Sequence, residues 1–209
     1  SGDADVAFNP SGGYHHAHAS HAAGFCYIND VVLACLRLAA AGKRVLVLDI
    51  DAHHCDGVQE AFYERSDILT MSFHEYGPGF FPGTGVVEDM GIGSARGCSI
   101  NAPLPAGTDD ETFAHIFNAI APAAIEKFAP DVIVLELGMD CLAGDPLTHL
   151  QLTNNAYAAA IEKVLSFDRP VLAVGGGGYN VENSVRGWAL AWSVLTGDAD
   201  DTDDLSIGM

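Results

Sequence analysis

Positive charge is scarce in this chain. Three lysines and six arginines stand against 28 aspartates and glutamates, for a formal net charge of −19 over 209 residues. Nucleic acid is therefore not an expected partner, because phosphate binding needs a basic surface. An acidic surface draws cationic substrates, although plain solubility accounts for it as well. No stretch of about 18 apolar residues runs without charge, so no membrane span is expected. Ser1-Gly2-Asp3-Ala4-Asp5 has no basic region followed by an apolar one, so no signal peptide is expected there. No basic cluster resembles a nuclear address, leaving the cytoplasm as the expected location. No Cys-x-x-Cys pair occurs, and the cysteines at 26, 35, 55, 98 and 141 are odd in number and scattered. Free thiols fit that pattern better than a disulfide framework or a cysteine-bound zinc.

What is present suits a globular domain. Hydrophobic residues make up 49% of the chain, enough for one domain with a real core. Residues 1–197 read as that domain. The acidic run within 198–209 reads as a solvated, mobile tail. Apolar segments of strand length at 44–49, 68–73, 97–101, 131–137 and 170–175 alternate with amphipathic segments at 26–42, 57–65, 110–129, 151–167 and 182–196. This alternation predicts an α/β fold, three layers deep, with a mainly parallel sheet. Thr108 or Asp109 caps the helix beginning at 110. Residues 74–96, rich in Gly and Pro, form one long loop of the kind that often carries function. The segment 9–16 reads as a loop with neither strand nor helix before it.

The most informative stretch is Asp49-Ile50-Asp51-Ala52-His53-His54-Cys55-Asp56. It follows the apolar run 44–48, so its carboxylates and imidazoles collect at a strand's carboxyl end, where open α/β sheets place their ligands. Asp51 and His53, two residues apart, project to the same side of extended backbone. Asp140 ends a second apolar run, 131–139. Together Asp51, His53 and Asp140 offer a divalent metal such as zinc three ligands and leave a position open for water. A lone Asp-x-His would more often be a capping or wet-loop feature, but here other motifs accompany it. His15 and His16 are adjacent and so diverge on regular backbone; they suit acid/base work better than paired metal ligation. Asp49 and Asp56 are spare carboxylates able to orient them. Four glycines, 175–178, follow the last strand and bring Tyr179 to its end, where a phenol can donate to a developing oxyanion. Phe80 and Phe81 bring aromatics into the long loop.

These motifs resemble the zinc-dependent histone deacetylases of the arginase/deacetylase fold. The matching stretches are GGYHHAHASHAAGFCYIND (12–30), LDIDAHHCDGVQEAFY (48–63), SFHEYGPGFFPGTG (72–85), LGMDCLAGDP (137–146) and GGGGYN (175–180). They occur in the family's order, and the pattern is nearest to its class I-like branch, which includes bacterial acetoin-utilisation proteins. The resemblance implies that Asp51, His53 and Asp140 bind zinc, with Fe(II) acceptable to the same ligands. It makes His15 and His16 the tandem catalytic histidines, oriented by Asp49 and Asp56, and has Tyr179 polarise the acetyl carbonyl. Phe25 and Phe81 flank an acyl-lysine tunnel, the Gly24 carbonyl accepts the substrate amide hydrogen, and Leu147 sits on the rim. A structural potassium ion would use Asp49, Asp51, His53, Ser72 and the Phe73 carbonyl. The implied partner is an acetylated lysine side chain, and self-association into a homo-oligomer is compatible with an exposed sheet edge. Two departures stand out. Cys55 replaces a glycine, at a cost of about 1–3 kcal/mol if that position needs a positive φ. The long N-terminal stretch usual in the family, with its substrate-gripping aspartate, has no counterpart, so the chain reads as the central and later part of a domain. The alternatives are a non-catalytic acyl-lysine-binding module, an acetylpolyamine amidohydrolase, or a two-manganese ureohydrolase. Against the last, Asp56 falls one residue late for the Asp-Ala-His-x-Asp spacing.

Overall fold

A computed structural model describes residues 4–198. Six strands form one sheet in the order β1-β6-β5-β2-β3-β4, with every neighbouring pair parallel. They are β1 (Val6–Asn9), β2 (Val45–Asp49), β3 (Ile68–Glu75), β4 (Ser99–Leu104), β5 (Val132–Glu136) and β6 (Val171–Val174). The helices are α1 (Asp30–Ala40), α2 (Asp56–Phe62), α3 (Asp110–Phe128), α4 (Asn154–Leu165) and α5 (Val181–Thr196). The expected α/β architecture is therefore present.

β2 and β3 are buried along their whole length. They read as unbroken apolar runs because helices cover both faces of the sheet. Successive side chains point to opposite faces. Val45 and Val47 join a cluster with Val31, Cys35, Val58 and Phe62 of α1 and α2. Leu46 and Leu48 join the larger cluster beneath α3, α4 and α5.

Element boundaries differ from expectation for local reasons. Contrary to expectation a strand precedes the loop at 9–16: β1 is four residues long, at the sheet edge, and alternates half-buried and exposed, so no apolar run marks it. α1 starts at 30 rather than 26. Asn29 takes extended backbone and its side chain accepts the Val32 N–H, while Phe25 has φ +64°. β4 runs through Pro103, which an edge strand tolerates. Asp109 is the cap of α3, accepting from the Thr112 N–H. Gly197, φ +74°, closes α5. Beyond Asp198 the tail falls outside the described residues. Among the described residues no helix is long and apolar enough to cross a membrane.

The strand order locates the crevice. From β2 the chain moves outward through β3 to β4, then returns to β5 on the other side of β2. Loops leaving the carboxyl ends of β2 and β5 therefore part in opposite directions, opening a cleft above that pair.

Candidate functional site

Asp51 and His53 lie in the bend after β2, and Asp140 in the loop after β5. The backbone at 51–53 is bent rather than extended, yet the side chains converge. His53 Nδ1 is 2.8 Å from Asp140 Oδ2 and 3.2 Å from Asp51 Oδ1. One donor atom from each residue falls within 4.8 Å of the others, and all three residues are buried. The donor set fits a divalent cation: two fully buried carboxylates facing one imidazole nitrogen call for positive charge. Burial and the nearby Asp51 push Asp140 up to about 7. Burial opposes the charged form of His53, but the two carboxylates outweigh it and push His53 up to about 10. Glycines let the backbone close around these carboxylates. Gly177 N–H donates to Asp51 Oδ2 at 2.6 Å. A Cβ on Gly138 or Gly177 would strike Asp51 or Asp140.

The tandem histidines do not diverge. Residues 10–20 are irregular, and the two rings lie 4.0 Å apart with their Nε2 atoms at 3.0 Å. His15 Nδ1–H donates to Asp49 Oδ2 at 2.8 Å, and His16 Nδ1–H donates to Asp56 Oδ1 at 2.7 Å. The two dyads carry unequal charge. Burial alone would lower His15, but Glu136, Asp49 and Asp51 hold its imidazole well above the ordinary value. Burial and the adjacent His15 lower His16. Each ring therefore turns Nδ1 to its own carboxylate, and the two Nε2 atoms face one another.

Above His53 lies a cavity of about 530 Å³, lined by Phe25, Phe80, Phe81, Leu147, His149 and Tyr179, with His16 and Gly24 at its base. Phe80 stacks on His53 at 5.0 Å, and Phe81 meets His16 edge-on at 4.9 Å. Phe25 is 74% exposed and in the left-handed region, so its backbone spends strain to place the ring at the mouth. Tyr179 is held by its own N–H, which donates to Asp145 Oδ2 at 2.7 Å. Burial, then Asp51 and Asp140, raise the Tyr179 phenol, so it keeps its proton. Gly24, φ +49°, packs so closely on the His16 ring that a Cβ would collide with it. Its carbonyl accepts from the Cys26 thiol at 3.2 Å.

Asp49 and Ser72 are register partners on β2 and β3, so their side chains are neighbours on one face. Ser72 Oγ also contacts His74 Nδ1 at 2.9 Å. The Phe73 side chain is buried in the opposite core beside Phe113 and Phe117, leaving only its main chain on this side. Cys55 has φ −75°, so no left-handed strain arises, and its side chain is buried without conflict.

The residue that sequence reasoning missed is Glu136. It is the register partner of Asp49, fully buried, and its Oε1 lies 3.0 Å from His15 Nδ1. That contact is not a hydrogen bond, because the His15 N–H points to Asp49; both Glu136 oxygens lack a donor. The available signal was a charged residue closing a strand otherwise buried on both faces. Asp145 and Gly177, which brace Tyr179 and Asp51 through the backbone, carry no type-specific signal.

Comparison with known proteins agrees with this geometry. Residues 1–195 match the family model described as the histone deacetylase domain. The chain is 42% identical over 198 residues to histone deacetylase clr6 of Schizosaccharomyces pombe, covering 95% of this chain and 49% of that protein. It is 46% identical over 190 residues to human histone deacetylase 1, covering 91% and 39% respectively. It is 44% identical over 194 residues to histone deacetylase RPD3 of Saccharomyces cerevisiae, covering 93% and 45%. The chain thus spans less than half the length of each of these relatives.

Proposed function

Since this chain belongs to the histone deacetylase domain family, we propose that it hydrolyses the acetyl amide of an N-acetyl-lysine side chain, with a divalent metal held by Asp51, His53 and Asp140. The observation that carries this reading is the unequal pair of histidine–carboxylate dyads beside a buried three-donor site. Zinc, or Fe(II) on the same ligands, would supply Lewis acidity and a water of lowered pKa there. The protein's own groups do the rest. His16, neutral and oriented by Asp56, takes the water's proton on Nε2 and later delivers it to the departing lysine amine. His15, kept cationic by its carboxylates, stabilises the negative charge that develops nearby. Tyr179, kept protonated, donates to the carbonyl oxygen as it becomes an oxyanion. The aliphatic lysine stem lies between Phe25 and Phe81, with the Gly24 carbonyl receiving its amide hydrogen and Leu147 on the rim. A potassium ion at Asp49, Asp51, His53 and Ser72, with a main-chain oxygen of Phe73, would offset the negative charge behind the site.

Acetate release from an acetyl-lysine peptide, measured with and without added zinc and with a hydroxamate inhibitor, tests the reading. Zinc-dependent, hydroxamate-sensitive turnover is expected. Hydroxamate binding without turnover would instead make the chain an acyl-lysine-binding module. Tyr179→Phe should lower kcat by roughly 10²–10³ with little change in KM; an unchanged kcat would remove Tyr179 from the mechanism.

A further inference from the structure

The floor of the cavity over His53 is taken up by the proposed chemistry, but one histidine–carboxylate pair at its rim is not. Glu75, the last residue of β3, is 4% exposed. Both of its oxygens serve one distant residue. Oε2 accepts the main-chain N–H of His149 at 2.7 Å, and Oε1 accepts the His149 Nδ1–H, also at 2.7 Å. On its other side the His149 carbonyl accepts from Gly107 N–H at 2.9 Å. The backbone of His149 is therefore pinned from both directions. Its side chain nevertheless stands 68% exposed, lines the cavity mouth, and lies 6.2 Å from the Phe80 ring.

A carboxylate acceptor at Nδ1 decides the tautomer. The proton sits on Nδ1, so the neutral ring carries its lone pair on Nε2, on the far side from that nitrogen's partner. A buried carboxylate spent on orienting an exposed ring has a purpose if the ring meets something. An extended peptide crossing the mouth presents unpaired main-chain N–H groups beside the inserted side chain.

We propose that His149, set by Glu75, grips the substrate's main chain: its Nε2 accepts a hydrogen bond from a peptide N–H flanking the acetyl-lysine. This rests on the acetyl-lysine reading above and deepens it. His149 is then a substrate-binding residue and Glu75 a positioning residue that acts through it. The grip selects peptides over small acetylated amines, because only a peptide supplies that N–H. It is indifferent to the flanking side chain.

The test is binding by fluorescence anisotropy in the presence of zinc. The probes are a labelled acetyl-lysine peptide, its unacetylated counterpart, and two versions N-methylated at the acetyl-lysine nitrogen or at the following one. The proteins are the wild type, His149→Ala and Glu75→Gln. In the wild type, one N-methyl peptide should bind about 3–10-fold more weakly than the parent, the worth of one hydrogen bond. His149→Ala should bind the parent equally weakly and show no further loss on N-methylation. Glu75→Gln should show a reduced penalty, with the fold of both variants checked by circular dichroism. If N-methylation costs the same in His149→Ala as in the wild type, the grip is overturned while the acetyl-lysine reading stands. If the wild type does not prefer the acetylated over the unacetylated peptide, the acetyl-lysine reading fails and the grip fails with it.

Discussion

Glu136 brings a carboxylate into a position already occupied by Asp49, its register partner, and neither oxygen receives a donor. Burial and Asp49 raise the Glu136 carboxyl well above its ordinary value. The native state therefore holds a proton there that the unfolded chain gives up once pH exceeds about 4.5, the ordinary glutamate value. Stability from this group is lost as pH rises from that point towards the raised native value. Glu136→Gln cannot titrate. Its stability should exceed the wild type's at pH 7–8, by about 1 kcal/mol or more for an unsatisfied buried group, and converge with it near pH 4.5. Loss of the attraction between Glu136 and His15 offsets part of that gain. A melting profile against pH checks it, and a variant less stable than wild type at pH 8 would contradict it. Gly24 gives a second residue-scale prediction. Gly24→Ala puts a Cβ into the His16 ring at a backbone angle of φ +49°. Displacing His16 should cost roughly 10²-fold in kcat, measured with the folded fraction checked by circular dichroism.

At the scale of elements, two helix caps of similar strength should behave differently. Asp109 caps α3 on an exposed surface. Asn29 caps α1, and its Nδ2 also donates to the carbonyls of His15 and Ala17, at 3.1 Å and 3.0 Å. Either residue changed to Ala should cost about 1 kcal/mol in stability. Only Asn29→Ala should also lower kcat, because it frees the loop that carries the tandem histidines. Denaturant midpoints together with kcat for both variants make the comparison. Equal kcat in the two would mean that Asn29 is not needed to hold that loop in place.

At the scale of the whole molecule, charge dominates. A net −19 and a buried cluster of carboxylates disfavour the compact state, and a bound cation relieves part of that repulsion. Divalent metal should therefore stabilise the fold, by about 2.7 kcal/mol at a free concentration 100 times Kd, and so raise the melting temperature. Burial and Asp51 push Asp140 up to about 7, and His53 stands at about 10 against its burial. Both must lose protons to ligate, so metal binding releases protons and affinity should rise with pH from 6 to 8. Calorimetric titrations in buffers of different ionisation enthalpy count those protons. A pH-independent affinity would show that Asp51, His53 and Asp140 are not the ligands.

The sequence by itself determined the layers and where the reactive side chains collect. Unbroken apolar runs at β2 and β5 meant strands buried on both faces, and the carboxylates ending them meant a site at the sheet's carboxyl edge, because a charge ends up where the apolar run stops. The five motifs in family order added the roles assigned to His15, His16, Asp51, His53, Asp140 and Tyr179. The structure alone decided what depends on neighbours distant in sequence. β1 is too short to show a period, and only pairing with β6 makes it a strand. The tandem histidines converge because irregular backbone, braced by Asn29, turns both imidazoles inward. Glu136 becomes a partner of His15 through strand register, and Glu75 reaches His149 across 74 residues. Those contacts arise from how the strands and loops pack, and no local pattern of residues encodes them.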